Sequence, residues 1–130
     1  MASRSKLATL TGAIFMLLGV ILGAIGTHAL EKAGLDADSL NSYETAVRYQ
    51  IYHGLALLIL AQSKYLNTGS FRFLLVGTLL FSISIYILTL DELLGVNASF
   101  LGPVTPIGGA FLILGWGLLI INIVREKSTN

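Results

Sequence analysis

Four stretches of the chain, 7–29, 44–63, 71–90 and 105–124, each approach the ~20 residues that a helix needs to cross a hydrocarbon layer. Little sequence is left between them. Of the 130 residues, 55% are hydrophobic and only 12% charged, whereas soluble domains usually carry about 25% charged residues. The mean hydropathy is +0.81. For most of this chain the solvent is lipid. The expected fold is all-α: one polytopic membrane domain, residues 1–130, built as a bundle of four transmembrane helices.

Basic residues set the expected topology. If the amino terminus is cytoplasmic, Arg4, Lys6, Lys64, Arg72, Arg125 and Lys127 fall on the cytoplasmic side and only Lys32 and Arg48 fall outside. Positive charge concentrates on cytoplasmic loops, so both termini are expected there, in a multi-pass protein of the cell inner (plasma) membrane. A net charge of +1 offers no basic stripe for nucleic acid. With no cysteine, thiolate chemistry, disulfides and cysteine-based zinc sites are excluded. No metal site and no cofactor are expected. Arg4 and Lys6 ahead of the first run resemble a secretory leader, but the apolar part exceeds the ~7–15 residues of a leader core and reads as a retained helix.

In the first span Ala8, Gly12, Gly19, Gly23 and Gly26 fall in a narrow arc, with Gly19-Val-Ile-Leu-Gly23 as a small-xxx-small pattern. That face suits close approach of another helix, either within the chain or in a homo-oligomer through Gly12, Gly19, Gly23 and Gly26. The connections 31–41 and 91–103 are polar and acidic, and Asn67-Thr-Gly-Ser70 makes a short turn. Thr78, Ser82, Tyr86 and Thr89 line one face of the third span. Thr105 before Pro106 reads as an N-cap followed by proline at the first helical position. Gly108, Gly115 and Asn122 share a face of the fourth span suited to close packing. Asn97-Ala-Ser99 matches a glycosylation sequon only formally.

The second span begins like a soluble amphipathic helix and ends like a membrane span. Thr45, Arg48, Tyr49, Tyr52 and Ala56 share one face, edged by Glu44 and His53. At 1.5 Å per residue Arg48 lies ~6 Å and His53 ~13 Å below Glu44, placing His53 near the midplane. Glu44 and Arg48 form an i, i+4 pair, and an arginine in a span is expected to be paired. Tyr43, Tyr49 and Tyr52 suit an aromatic belt at headgroup level. Together with His28, Gln50, Ser82, Tyr86 and Thr105, these side chains are expected to converge in the outer half of the bundle. His53 reads as an interhelical hydrogen-bond partner of Ser82 or Tyr86, with ligand contact and proton handling as alternatives. Enzyme templates fit poorly: there is no phosphate loop, no His-Glu-x-x-His and no pair of acids within a span. Two histidines at such different depths do not suit a shared haem.

Four segments together resemble a known family. Gly23-Ala-Ile-Gly-Thr-His-Ala-Leu30, Tyr43-Glu-Thr-Ala-Val-Arg-Tyr-Gln-Ile-Tyr-His-Gly54, Leu80-Phe-Ser-Ile-Ser-Ile-Tyr86 and Leu101-Gly-Pro-Val-Thr-Pro-Ile-Gly-Gly109 are similar to the membrane proteins catalogued as domain of unknown function 423. The resemblance implies four helices in the inner membrane and points to His28, Tyr49, Gln50, His53, Ser82, Ser84, Tyr86, Pro103, Thr105 and Pro106. Ile83 departs from it, standing where a small residue is expected. No accepted activity comes with the family. The leading expectation is a non-enzymatic protein, among membrane lipids, whose polar cluster binds a lipid-like or quinone-like molecule or a partner helix. The alternatives are a small transporter or channel subunit acting as an oligomer and, last, an intramembrane enzyme with His53 as base.

Overall fold

Short polar side chains start each of the first three long helices. The Ser3 hydroxyl accepts the Lys6 amide at 3.1 Å and opens α1, Arg4–Lys32. Asp36 accepts the Ser39 amide at 2.8 Å and opens α2, Ala37–Leu60. That amide favours the charged carboxylate and holds Asp36 below the usual aspartate range. A reciprocal capping box between Asn67 and Ser70 opens α3, Thr68–Leu94. Gly95, left-handed at φ 69°, stops α3 where any side chain would be strained. After a 3₁₀ turn over Ser99–Leu101, α4 runs Val104–Arg125. The computed structural model describes residues 3–126; Lys127, counted above among the cytoplasmic charges, lies outside the described residues.

The start of α4 differs from the expected Thr105 cap. The cap lies two residues earlier, at Pro103 in helical conformation, and no side chain caps the helix. Pro103 and Pro106 lack amide hydrogens, so the first turn has fewer donors to satisfy. The Thr105 hydroxyl is free to leave the helix and does so, as described below.

α1 packs antiparallel on α2, α4 packs antiparallel on α3, and α2 and α3 join the two pairs. Glycine sets both close crossings. A Cβ on Gly12 would lie 2.7 Å from the Gly54 carbonyl, and one on Gly54 would lie 2.9 Å from the Phe15 Cβ. Gly19, Gly23 and Gly26 meet Ile51, Val47 and Tyr43, so within this chain the whole glycine face of α1 lies against α2. On the other pair Gly77 and Gly115 admit Leu112 and Leu74, and Gly108 lies against the backbone of Leu80 and Phe81. Asn122, from the predicted packing face, donates to the Tyr65 carbonyl at 3.0 Å and accepts from Asn67 at 3.1 Å. Ala8, Phe15, Leu57, Leu66, Phe71, Leu74 and Leu112 form the core between the pairs.

Three of the four helices are long and apolar enough to cross a membrane: Arg4–Lys32, Thr68–Leu94 and the stretch Ser99–Arg125 that contains α4. α2 falls outside that group, because Asp38, Asn41, Glu44, Arg48 and Gln50 dilute its first half. Large aliphatic side chains on the outer surfaces of α1 and α4 remain uncovered, with Leu17 at 62% and Ile113 at 74% exposure. A hydrocarbon solvent tolerates that surface and water does not. Ile83 is 47% exposed and perturbs no packing despite its size.

Candidate functional site

Two π-helical turns, Leu22–Gly26 in α1 and Leu79–Ile83 in α3, lie beside the polar half of α2. Such turns widen the helix and shift its carbonyls, often where a side chain from elsewhere needs one. Tyr43 donates to the Leu22 carbonyl at 2.7 Å, and its hydroxyl fills the space above Gly26 that a Cβ would overlap. At 2% exposure Tyr43 belongs to the core and not to the headgroup belt. Ser82, inside the second π turn, donates to the Ala46 carbonyl at 2.9 Å.

Gln50 is the centre of the network. Its Nε2 donates to the Phe15 carbonyl at 3.0 Å, and its Oε1 accepts the Tyr86 hydroxyl at 2.8 Å. One amide thereby ties α2 to α1 and to α3, and its orientation is fixed, because a carbonyl can only accept. Tyr86 also packs on Tyr43, with ring centroids 5.3 Å apart. Ser84 donates to the Phe81 carbonyl at 3.0 Å and lies 2.6 Å from the Thr105 hydroxyl. Since the Ser84 hydrogen is committed to Phe81, Thr105 is the donor in that pair.

His53 meets neither Ser82 nor Tyr86. Its Nδ1 lies 2.8 Å from the Tyr49 carbonyl one turn back, and its Nε2 lies 3.0 Å from Trp116 Nε1 on α4. An indole nitrogen only donates and a carbonyl only accepts. The ring is therefore neutral, with its proton on Nδ1 and both nitrogens used. Trp116 carried no sequence signal beyond being the chain's one tryptophan. Trp116→Phe is expected to leave Nε2 unpaired and cost about 1–2 kcal/mol. The histidine ring resonances of the labelled protein in micelles would report it: an unchanged tautomer and unchanged stability would remove Trp116 from this role.

The structure thus joins Gln50 to Tyr86, which packs on Tyr43, while Ser82 bonds the α2 backbone, Thr105 pairs with Ser84 and His53 with Trp116. It does not bring in the others. His28 is exposed. Tyr52 is 58% exposed and stacks only loosely on Tyr49, with centroids 6.2 Å apart. Glu44 and Arg48 face outward beside Gly23 and Thr27 without forming the expected ion pair. Arg48 instead reaches the Thr45 hydroxyl at 3.5 Å, and the ion pair seen among the described residues is Lys64–Glu126 at 3.2 Å. The shared face of Arg48, Tyr49 and Tyr52 is real, but it forms the surface of α2.

The network is closed. Among the described residues no buried side-chain nitrogen or oxygen lacks a partner. What stays open is a groove between α2 and α4, which run parallel on either side of α3. One part is a cleft of about 640 Å³ lined by Asp38, Ser39, Ser42, Thr45, Thr89 and Thr105, together with the apolar Ile85 and Leu88. One turn further in, the same three helices line an apolar cleft of about 570 Å³ with Phe81, Gly109, Ile113, Trp116 and Gly117. The Tyr49 ring, packed on Phe81 at 4.5 Å between centroids, lines this second cleft.

Comparison with known proteins places the chain among membrane proteins. Residues 22–109 match the family described as Protein of unknown function (DUF423). The chain is 38% identical to the UPF0382 membrane protein SSP2132 of Staphylococcus saprophyticus, over 92% of its own length and 98% of the relative's. It is 36% identical to the UPF0382 membrane protein YwdK of Bacillus subtilis, over 92% and 98%. It is 37% identical to the UPF0382 inner membrane protein YgdD of Escherichia coli, over 98% and 95%. No solved structure matches it. Apolar helices, exposed aliphatic faces and full-length similarity to these relatives lead to one conclusion: the chain is an inner-membrane protein and belongs to the DUF423 family, whose function is unknown.

Proposed function

We propose that this is a non-catalytic, four-span membrane protein that holds a lipid in the groove between α2 and α4. α2 serves as the fourth span because the polar groups deepest in it, Gln50 and His53, are paired with neighbouring helices and need no water, while Asp38, Glu44 and Arg48 lie toward its first end. An even number of spans brings both ends to one side. Ser5 and Lys6 share a cleft with Gln62, and Lys64 pairs with Glu126, so the basic ends of the helices gather together. By the distribution of positive charge that side is cytoplasmic.

The observation that carries the lipid reading is a pair of glycines without a packing duty. Gly108 and Gly115 admit α3, but a Cβ on Gly117 would touch nothing within 4 Å, and one on Gly109 would only graze Phe81 at 3.9 Å. Each costs about 1 kcal/mol relative to alanine in a helix. Both open the floor of the apolar cleft to an acyl chain. A quinone fits less well, since its two carbonyls need donors, and with Trp116 and the His53 ring spent on other bonds the Tyr49 hydroxyl is the one side-chain donor left in this lining. Catalysis is disfavoured for the same reason.

Gly117→Leu fills the cleft without touching α3. Native mass spectrometry of protein extracted in mild detergent is expected to show retained phospholipid on the wild type and its loss from Gly117→Leu, with unfolding temperature unchanged. Equal lipid retention by both would refute the reading. So would efficient dimer cross-linking through Ile113→Cys, which would put a second copy in the groove.

A further inference from the structure

If the groove holds a lipid, as proposed above, its mouth specifies the headgroup. Hydroxyl groups usually offer both a donor and an acceptor, but here four of the five lining the mouth have their hydrogens committed, and Ser42 alone keeps its own. Ser39 donates to the Asp36 carboxylate at 3.3 Å and Thr45 to the Asn41 carbonyl at 3.0 Å. Thr89 donates to the Ile85 carbonyl at 2.9 Å, and Thr105 gives its hydrogen to Ser84. What these four side chains present to the cleft is oxygen lone pairs. The Asp38 carboxylate beside them is acceptor-only as well. No lysine or arginine lines this mouth. Arg48 touches Thr45 at 3.5 Å, but it lies with Glu44 in the cleft toward α1.

A mouth in which four of five hydroxyls can only accept, beside one negative charge, complements a cation rich in N–H donors. We propose that the groove binds phospholipids whose headgroup carries a primary ammonium, with Asp38 as its counter-ion, Thr45, Thr89 and Thr105 accepting its hydrogens, and the acyl chain passing over Tyr49 into the apolar cleft. A soluble amine would satisfy the mouth alone. The apolar continuation on the same three helices selects an amphiphile.

The test uses full-length protein in nanodiscs containing equal parts of phosphatidylethanolamine, phosphatidylcholine and phosphatidylglycerol, with the lipids that remain bound after transfer to detergent identified by native mass spectrometry. Phosphatidylcholine has the same net charge as phosphatidylethanolamine but no N–H donor, so it isolates the hydrogen bonds. Enrichment of phosphatidylethanolamine over both others by about two- to fivefold is expected, the range a partly exposed ion pair supplies. Asp38→Asn and, separately, Thr89→Val are expected to abolish the preference while leaving total bound lipid unchanged. Equal retention of the three lipids, with loss only in Gly117→Leu, would overturn the headgroup inference and leave the groove reading standing. Absence of bound lipid from the wild type would overturn both. A preference that survives both Asp38→Asn and Thr89→Val would place headgroup recognition elsewhere and overturn the assignment of the mouth.

Discussion

Gly108→Ala is expected to cost about 3 kcal/mol or more, because the added methyl meets backbone and not a side chain that can turn aside. Its carbon would lie 2.5 Å from the Phe81 nitrogen and 2.9 Å from the Leu80 carbonyl carbon, both within the π turn of α3. Relief requires α4 to move away from α3 along its length, which loosens the Gly77–Leu112 and Gly115–Leu74 contacts together. Unfolding in mixed micelles by rising denaturing-detergent fraction would measure the loss. Gly117→Ala is the matched control on the same helix: with open space around it, the change is expected to be neutral or stabilising by up to about 1 kcal/mol. Equal effects at the two positions would mean that backbone approach does not set the α3–α4 distance.

The second large effect belongs to Gln50, 6% exposed. Gln50→Leu keeps the volume but removes the acceptor of Tyr86 and the donor to Phe15, leaving a phenol hydroxyl without its partner. An orphaned polar group costs about 1–3 kcal/mol, and interhelical bonds in membranes contribute about 0.6 on average and up to about 1.7. A loss of about 2–3 kcal/mol is expected. Tyr86→Phe introduced with it removes the orphan, so the double variant is expected to be no less stable than Gln50→Leu alone. Strict additivity in this cycle would show that the two side chains act independently.

The fold was legible where one residue type does one job over a long stretch. Hydropathy marked the runs that became α1, α3 and α4, and the glycines at 12, 19, 108 and 115 marked the helix faces that touch. The polar layer was legible in membership and less so in wiring. Gln50 and Tyr86 do meet, but Thr105 pairs with Ser84, and Tyr43 and Ser82 bond to backbone carbonyls, acceptors that leave no trace in residue identity. The two π turns follow from no local propensity: the first offers the Leu22 carbonyl to Tyr43 of α2, and the second carries Ser82, whose hydroxyl donates to the Ala46 carbonyl of α2. Arg48 and Glu44 were expected inside because burying charge demands partners. α2 resolves that demand by turning the charges outward, a choice of rotation that periodicity alone does not determine.

The order in which the partners of α2 lie along the chain bears on how the protein enters the membrane. A ribosome delivers α1 first, and with it the Phe15 and Leu22 carbonyls that receive Gln50 and Tyr43. α2 follows as a segment too polar to partition by itself. α3 then brings the hydroxyls of Ser82 and Tyr86, and α4 brings the Trp116 indole. Each later helix satisfies what the marginal segment still lacks, so its commitment to the bilayer is a property of the nascent set and not of its own composition. In the four-span topology proposed above, an α2 passed over by the insertion machinery would leave three crossings and put the carboxyl end, with Arg125, on the opposite side. On that reading the buried hydrogen bonds that shape the folded protein also guard its topology during synthesis.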